Sequence, residues 1–135
     1  MIEANGPASD DAPQESANVP LPYDWSATFT QDGPWTVARL HPGPRPYGDV
    51  IGLAIPLWQE MERRWATLLV LEMDEVDFLS SSLMGELVRL YKRIAGRSGA
   101  LRLCGLQPEC AEALRVCRLD EVLPAYVSHH DATHS

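Results

Sequence analysis

Apolar residues along the chain recur at two spacings, one typical of strands and one typical of helices. Alternation at 23–31 and at 35–40, separated by an Asp-Gly-Pro turn, predicts two paired strands, the first at a sheet edge. The stretches 66–73 and 100–106 predict two further strands. The first of these is apolar on both faces, which is typical of a central strand. A last short extended piece is predicted at 122–127.

Helical spacing predicts three helices between these strands. A helical pattern appears from about residue 49, and its predicted inner face is Leu53, Leu57, Trp58, Met61 and Trp65. Because Pro56 lies within this pattern, the helix either starts near Ile55 with the proline in its first turn or kinks at the proline. The second follows three serines, and its predicted buried stripe is Leu83, Leu87, Leu90, Tyr91 and Ile94. The third opens at a proline, and its predicted inner face is Cys110, Ala113, Leu114 and Cys117. Strands that alternate with helices predict an α/β fold with right-handed crossovers and a mixed sheet.

Composition sets the predicted domain limits. Residues 1–22 are rich in Pro, Ala, Ser and acidic residues, contain no Lys or Arg, and are predicted to form a disordered acidic tail. Residues 23–130 are expected to form one domain, followed by a flexible C-terminus at 131–135. Ser128 and Asp131 nevertheless resemble a capping box, which predicts one more helical turn. The net charge of -8 argues against nucleic acid or an anionic membrane as partner.

The expected location is the cytoplasm, and no metal or cofactor is expected. No basic region followed by an apolar core opens the chain, and no apolar run reaches membrane-spanning length. The three cysteines lack Cys-x-x-Cys spacing, which argues against a zinc site and suits reduced thiols. Asp74, Glu75 and Asp77 are interpreted as a solvated acidic loop rather than a metal site.

Three consecutive serines, Ser80, Ser81 and Ser82, lie where the central strand pattern ends and the second helix pattern begins. Serine is a preferred N-cap residue, so one of them is expected to cap the helix. A phosphate added here would also meet free backbone amides and the positive end of the helix dipole. The chain has no Gly-x-Ser-x-Gly turn, which argues against a serine-hydrolase nucleophile. The triplet is therefore a candidate phosphorylation switch.

Three segments point to a known family. The stretch Phe78–Gly85, the strand at 99–103 and the segment 114–123 resemble the STAS domain, whose best-known members are bacterial anti-sigma factor antagonists. The resemblance covers about residues 66–127 by the order of its motifs. It implies a STAS-type α/β fold, with a mixed sheet of four to five strands and helices packed mainly on one face. Ser80 and Leu83 stand where the family often has Asp and Gly, and a proline-rich loop replaces its usual strand-turn region at 41–48.

The resemblance implies a protein-binding regulator and not an enzyme. In the family a serine of this loop is phosphorylated by a partner that is both serine kinase and anti-sigma factor, and phosphorylation releases that partner. By motif position the serine is Ser81, with Ser80 and Ser82 as alternatives. The residues expected to contact the partner surround it: Asp77, Phe78, Leu79, Ser80, Ser82, Leu83, Met84 and Glu86.

Two other functions remain open from the sequence. The first is a STAS subunit without a switch, acting as an adaptor on an ABC-transporter ATPase or as part of a signalling scaffold. The altered serine loop favours this alternative. The second is an enzyme, such as a small esterase or a metal-dependent hydrolase. The sequence shows no constellation of nucleophile and base for it.

Overall fold

The computed structural model describes residues 16–46 and 48–135. These residues form six strands, namely β1 (Ala17–Pro20), β2 (Ser26–Asp32), β3 (Trp35–His41), β4 (Leu68–Glu72), β5 (Ala100–Cys104) and β6 (Ala125–Tyr126). The α-helices within the same two ranges are α1 (Ala54–Arg63), α2 (Ser81–Gly96), α3 (Pro108–Val116) and α4 (His129–His134). Short 3-10 turns lie at Pro22–Asp24 and Leu119–Glu121.

The strands form one mixed sheet in the order β1-β2-β3-β4-β5-β6. β1, β2 and β3 are antiparallel neighbours, whereas β3, β4, β5 and β6 run parallel. α1, α2 and α3 are therefore crossovers that begin at the carboxyl end of the parallel strands and return to the other end. The predicted α/β fold with a mixed sheet is confirmed, with six strands instead of four to five.

The first strand corrects the predicted tail. Ala17 pairs with Phe29 and Pro20 with Ser26, so β1 forms the sheet edge and β2 lies inside it. The assignment of residues 17–22 to a disordered tail is therefore wrong, and so is the edge position predicted for the strand at 23–31, which corresponds to β2. A four-residue strand that ends in proline leaves little pattern to detect, and proline is tolerated at an edge. The remainder of the predicted tail, residues 1–15, lies outside the described residues.

The core lies mainly on one face of the sheet, under α1, α2 and α3. A smaller cluster on the other face is covered by α4, and it consists of Trp35, Val37, Val70, Cys104 and Ala132. The expected flexible C-terminus is therefore corrected to a helix, because Ala132 is fully buried. Ser128 Oγ accepts a hydrogen bond from the Asp131 N–H at 3.2 Å, as the capping-box pattern predicted.

Two residues predicted to face the core are exposed instead. Trp65 is 94% exposed, because α1 ends at Arg63 and the chain turns through a left-handed residue (φ 56°) at Trp65. Cys117 is exposed because it follows the last residue of α3. The other predicted inner residues of α1 and the stripe of α2 are buried, apart from the half-buried Tyr91.

Candidate functional site

The serine triplet lies at the carboxyl end of the parallel strands, where the loop 73–80 joins β4 to α2. Two buried apolar side chains, Val76 and Leu79, fix this loop to the core. The Met73 N–H donates to the carbonyl oxygen of Cys104 at 2.9 Å and extends the pairing of β4 with β5. The start of α2 is thus held on a rigid base, which suits a recognition surface.

Ser80 and Ser82 have structural roles. Ser80 has extended backbone angles and is the N-cap of α2, and its Oγ accepts a hydrogen bond from the Leu83 N–H at 3.1 Å. Ser82 Oγ accepts from the Val50 N–H at 3.0 Å, which joins the segment before α1 to the start of α2. The two hydroxyl oxygens are 3.1 Å apart and form a hydrogen bond. One of the three serines was expected to cap α2, and in the structure that residue is Ser80.

Ser81 differs from both of its neighbours. It is exposed at the first position of α2, and its hydroxyl group has no hydrogen-bond partner within the part of the chain that the structure describes. Backbone N–H groups in the first turn of a helix have no partner within the helix, and the helix dipole is positive there. A phosphate on Ser81 would therefore enter solvent beside free donors without displacing a contact.

The structure separates the predicted partner-contacting residues into two groups. Asp77 and Phe78 are exposed, and Ser80, Ser82 and Met84 are half-buried at the start of α2. The expectation is corrected for three residues that lie inside the protein, namely Leu79, Leu83 and Glu86. The two leucines belong to the main core cluster. They support the surface from beneath and are not available to a docked protein.

Glu86 is buried, with 3% of its surface exposed, because it caps a neighbouring helix. Its Oε1 accepts a hydrogen bond from the N–H of Ala54, the first residue of α1, at 2.9 Å. Its Oε2 lies 2.7 Å from Nη1 of Arg89, which supplies an opposite charge. A carboxylate at a helix N-terminus is also favoured by the helix dipole.

Acidic side chains at the end of β4 and in the loop after it lie within ion-pair distance of Arg39 and His41 of β3. The sequence patterns did not predict these contacts. Nε of Arg39 lies 3.2 Å from Oε1 of Glu72, and its Nη1 lies 3.8 Å from Asp74 and 3.9 Å from Glu75. Nδ1 of His41 is 2.9 Å from Glu75 Oε1. No group of three potential metal ligands occurs within the described ranges 16–46 and 48–135. Asp77 is thus the exposed acid nearest to the serines in the sequence, and it forms no ion pair with any other described residue.

A shallow groove of about 270 Å³ lies beside the serine loop and is lined by Asp77, Phe78, Leu79, Glu109 and Ala113. Beneath it, the Cys110 Sγ donates to the carbonyl oxygen of Val76 at 3.4 Å. Burial raises the pKa of the Cys110 thiol, and the nearby carboxylates of Asp77 and Glu109 raise it further. The groove has an apolar floor and acidic walls. It therefore suits a protein segment with apolar and basic side chains.

Comparison with known proteins identifies the family to which this fold belongs. The family model described as STAS domain matches residues 37–132, from β3 into α4. The chain belongs to the STAS domain family. The match covers the serine loop and the parallel part of the sheet. A search of curated proteins finds no match.

Solved structures share the STAS fold at low sequence identity. The protein TM1081 of Thermotoga maritima has a TM-score of 0.68 at 14% identity, over 79% of this chain and 85% of that one. An anti-sigma factor antagonist from Mycobacterium paratuberculosis has a TM-score of 0.60 at 17% identity, over 85% and 96% of the two chains. An anti-sigma-factor antagonist (STAS) domain protein from Planctomyces limnophilus has a TM-score of 0.55 at 25% identity, over 78% and 92%.

One further property concerns membranes. None of the helices in the described part of this STAS protein combines the length and the hydropathy that crossing a bilayer requires.

Proposed function

We propose that this STAS protein binds an anti-sigma factor that is also a serine kinase, and that phosphorylation of Ser81 releases the complex. The exposure of Ser81 supports this proposal most directly. Ser80 and Ser82 hold the loop together through hydrogen bonds, whereas the Ser81 hydroxyl group is free to react. The fold shared with the 25% identical protein from Planctomyces limnophilus, which is named as an anti-sigma-factor antagonist, supports the proposed partner class. In this role the protein would control transcription from the cytoplasm.

The proposed switch follows from charge. A phosphoserine carries about -1.5 to -2 charges at neutral pH. At the first residue of α2 this charge lies beside free N–H groups, so the fold tolerates it. A partner surface docked over Ser81 and Asp77 loses contact with the hydroxyl group and meets a dianion next to a carboxylate. Binding then weakens although the protein itself stays folded.

The proposed partner surface consists of the exposed and half-buried residues around Ser81, with Phe78 as its apolar centre. Phe78 is 43% exposed on the rim of the groove, and aromatic side chains are enriched among the residues that dominate protein interfaces. Met84 lies half-buried one helical turn away from Ser80. An unbranched methionine adapts to the shape of a partner. The protein acts by binding and carries out no chemistry of its own.

The test is phosphorylation of the full chain by its cognate anti-sigma factor kinase with ATP, followed by phosphopeptide mass spectrometry. We expect phosphate on Ser81 in the native chain and none in Ser81→Ala, which should stay bound to the kinase. Ser81→Asp should weaken binding about tenfold or more, since it places an acid next to Asp77. Ser98→Asp is the matched control, because Ser98 is an exposed serine at the other end of α2.

Equal binding by Ser81→Asp and the native chain, or phosphate on another residue only, would overturn the proposed switch. Stable binding without any phosphorylation would instead identify the protein as a STAS adaptor without a switch. Circular dichroism of all three variants shows whether a change in affinity comes from the surface or from unfolding.

A further inference from the structure

Trp65, which follows the end of α1, is unusual because a large aromatic side chain is almost fully exposed on a left-handed backbone. Its side chain is 94% exposed, and its backbone has φ 56°. Left-handed backbone is costly for bulky residues and is usually occupied by Gly or Asn. Neither packing nor backbone geometry within the described residues accounts for a tryptophan here. An exposed tryptophan on an unfavourable backbone points to a contact with a group outside these described residues.

Two adjoining recesses lie next to Trp65, between the C-terminal ends of α1 and α2. Both share the walls Trp58, Glu62 and Arg97. One recess, of about 280 Å³, continues to Trp65, and the other, of about 330 Å³, continues to Lys92 and Arg93. We call these six residues the basic end. Its combination of aromatic rings and cations suits a segment that carries both apolar and acidic side chains.

The charge of this region opposes that of the whole chain, which is -8. Glu62 is already paired with Arg97, whose guanidinium group also lies 5.3 Å from the centre of the Trp58 ring. Lys92 and Arg93 are exposed and form no ion pair with any described residue. Two cations therefore remain available for an acidic ligand.

A segment of matching chemistry is attached close by. Residues 1–15 contain four carboxylate side chains and no Lys or Arg, and they begin with the apolar pair Met1 and Ile2. β1 continues directly from this segment, and Ala17 pairs with Phe29. The guanidinium group of Arg64, the residue after α1, lies 5.4 Å from the centre of the Phe29 ring. β1, which follows this segment in the chain, thus pairs with the strand whose Phe29 ring is covered by Arg64 at the C-terminal end of α1.

We propose that the acidic segment 1–15 docks on the basic end of the same chain. Fifteen extended residues span up to about 50 Å, so every part of the basic end is within their reach. Attachment to the same chain gives the segment an effective concentration on the order of millimolar, which makes even weak charge pairing sufficient. The contacts are salt bridges from its carboxylates to Lys92 and Arg93, and apolar cover for the ring of Trp65.

This surface is separate from the serine site. α2 has 16 residues and is therefore about 24 Å long, with Ser81 at one end and the basic end at the other. The inference does not depend on the proposed function. A partner with a stronger acidic segment would have to displace residues 1–15 before it could bind there.

The test uses acrylamide quenching of tryptophan fluorescence in the full chain. Since Trp25, Trp35 and Trp58 are buried, quenching reports mainly on Trp65. One variant neutralises the segment by Glu3→Gln, Asp10→Asn, Asp11→Asn and Glu15→Gln. If the segment covers Trp65, neutralisation should raise the quenching constant about twofold, because the charge pairing that holds the cover is lost. The double variant Lys92→Glu/Arg93→Glu should have the same effect.

The matched control is Arg45→Glu, an exposed arginine at the other end of the sheet, which should leave quenching unchanged. Trp65→Gly gives the background signal of the three buried tryptophans. Identical quenching of the native and neutralised chains would overturn the proposal. A dimer whose dissociation restores the quenching of Trp65 would overturn it as well, since the segment would then bind a second copy.

Discussion

The carboxylate of Glu86 in α2 accepts a hydrogen bond from the backbone N–H of Ala54, which opens α1. One helix thus caps another, because Leu53, the N-cap residue of α1, provides no side-chain oxygen. Close to this contact, Ser82 accepts the Val50 N–H. Together the two contacts orient the start of α1 against the start of α2, and so they shape the surface around Ser81.

Removing this cap should destabilise the fold. We expect Glu86→Ala to lower the free energy of unfolding by about 2–4 kcal/mol, since it leaves the buried Ala54 N–H without an acceptor. Glu86→Gln keeps an acceptor oxygen but loses the charge pairing with Arg89, and it should cost about 1–2 kcal/mol. Urea denaturation measures both values. Glu109→Gln, at an exposed carboxylate in the first turn of α3, is the control. A loss below about 0.5 kcal/mol in Glu86→Ala would contradict the capping role.

The three serines should differ in their effect on stability. Ser80→Ala removes the N-cap of α2 and should cost about 1 kcal/mol. Ser82→Ala removes the acceptor for Val50 and should cost about as much. Ser81→Ala should change stability by less than about 0.5 kcal/mol, because its hydroxyl group contacts no described residue. Thermal or urea unfolding of the three variants in one buffer ranks them. If Ser81→Ala proved the most destabilising, the assignment of structural and signalling roles would be reversed.

Sequence patterns predicted which helices and strands form more accurately than they predicted the residues at which these end. The strand predicted at 35–40, which the structure has at Trp35–His41, and the buried stripe of α2 both follow from local periodicity, which is why both were found. Trp65 matched the helical spacing of α1 but lies two residues beyond its end, where the backbone has turned away. Periodicity does not show where a helix stops when no glycine or proline marks the end.

Contacts between residues that are far apart in the sequence limited how much of the candidate site could be predicted. The sequence pattern predicted Ser81 at the N-terminus of a helix, and the structure has it as the first residue of α2, since that position depends on local pattern alone. Glu86 was expected to contact a partner because it lies near Ser81 in the sequence, whereas the residue that it binds, Ala54, lies 32 residues away. The pairing of Arg39 with Glu72 likewise depends on the parallel register of β3 and β4. Local sequence patterns contain no information about either distance.

Glu60 should make the stability of the protein depend on pH. A hydrogen bond from Arg63, aided by Arg64, lowers the pKa of the Glu60 carboxyl below its usual 4.5, despite partial burial. A group with a lowered folded pKa stabilises the fold above its unfolded pKa and loses that effect as pH falls through the folded value. Native chain and Glu60→Gln should therefore differ by about 1–2 kcal/mol at pH 7. The difference should shrink below about pH 4.5 and vanish in stronger acid.

Urea denaturation of both chains across this pH range gives the measurement. Glu121→Gln, which alters an exposed carboxylate without an ion pair in the described structure, should show no such pH dependence. A difference between native chain and Glu60→Gln that grows as the pH falls would have the wrong sign for this ion pair.

The three thiols should separate by reactivity. Burial raises the pKa of Cys104 to about 12, with further contributions from the carboxylates of Glu72 and Asp74. Cys110 is equally buried and also has a raised pKa, whereas Cys117 is exposed after the end of α3. Because the thiolate is the reactive form and needs access to the reagent, Cys117 should react first, about 100-fold faster than the others. Ellman's reagent should therefore titrate one thiol in the native protein and three in guanidinium chloride. Cys117→Ser should abolish the fast phase, and a fast phase that persists in this variant would mean that the buried cysteines are reached by local opening.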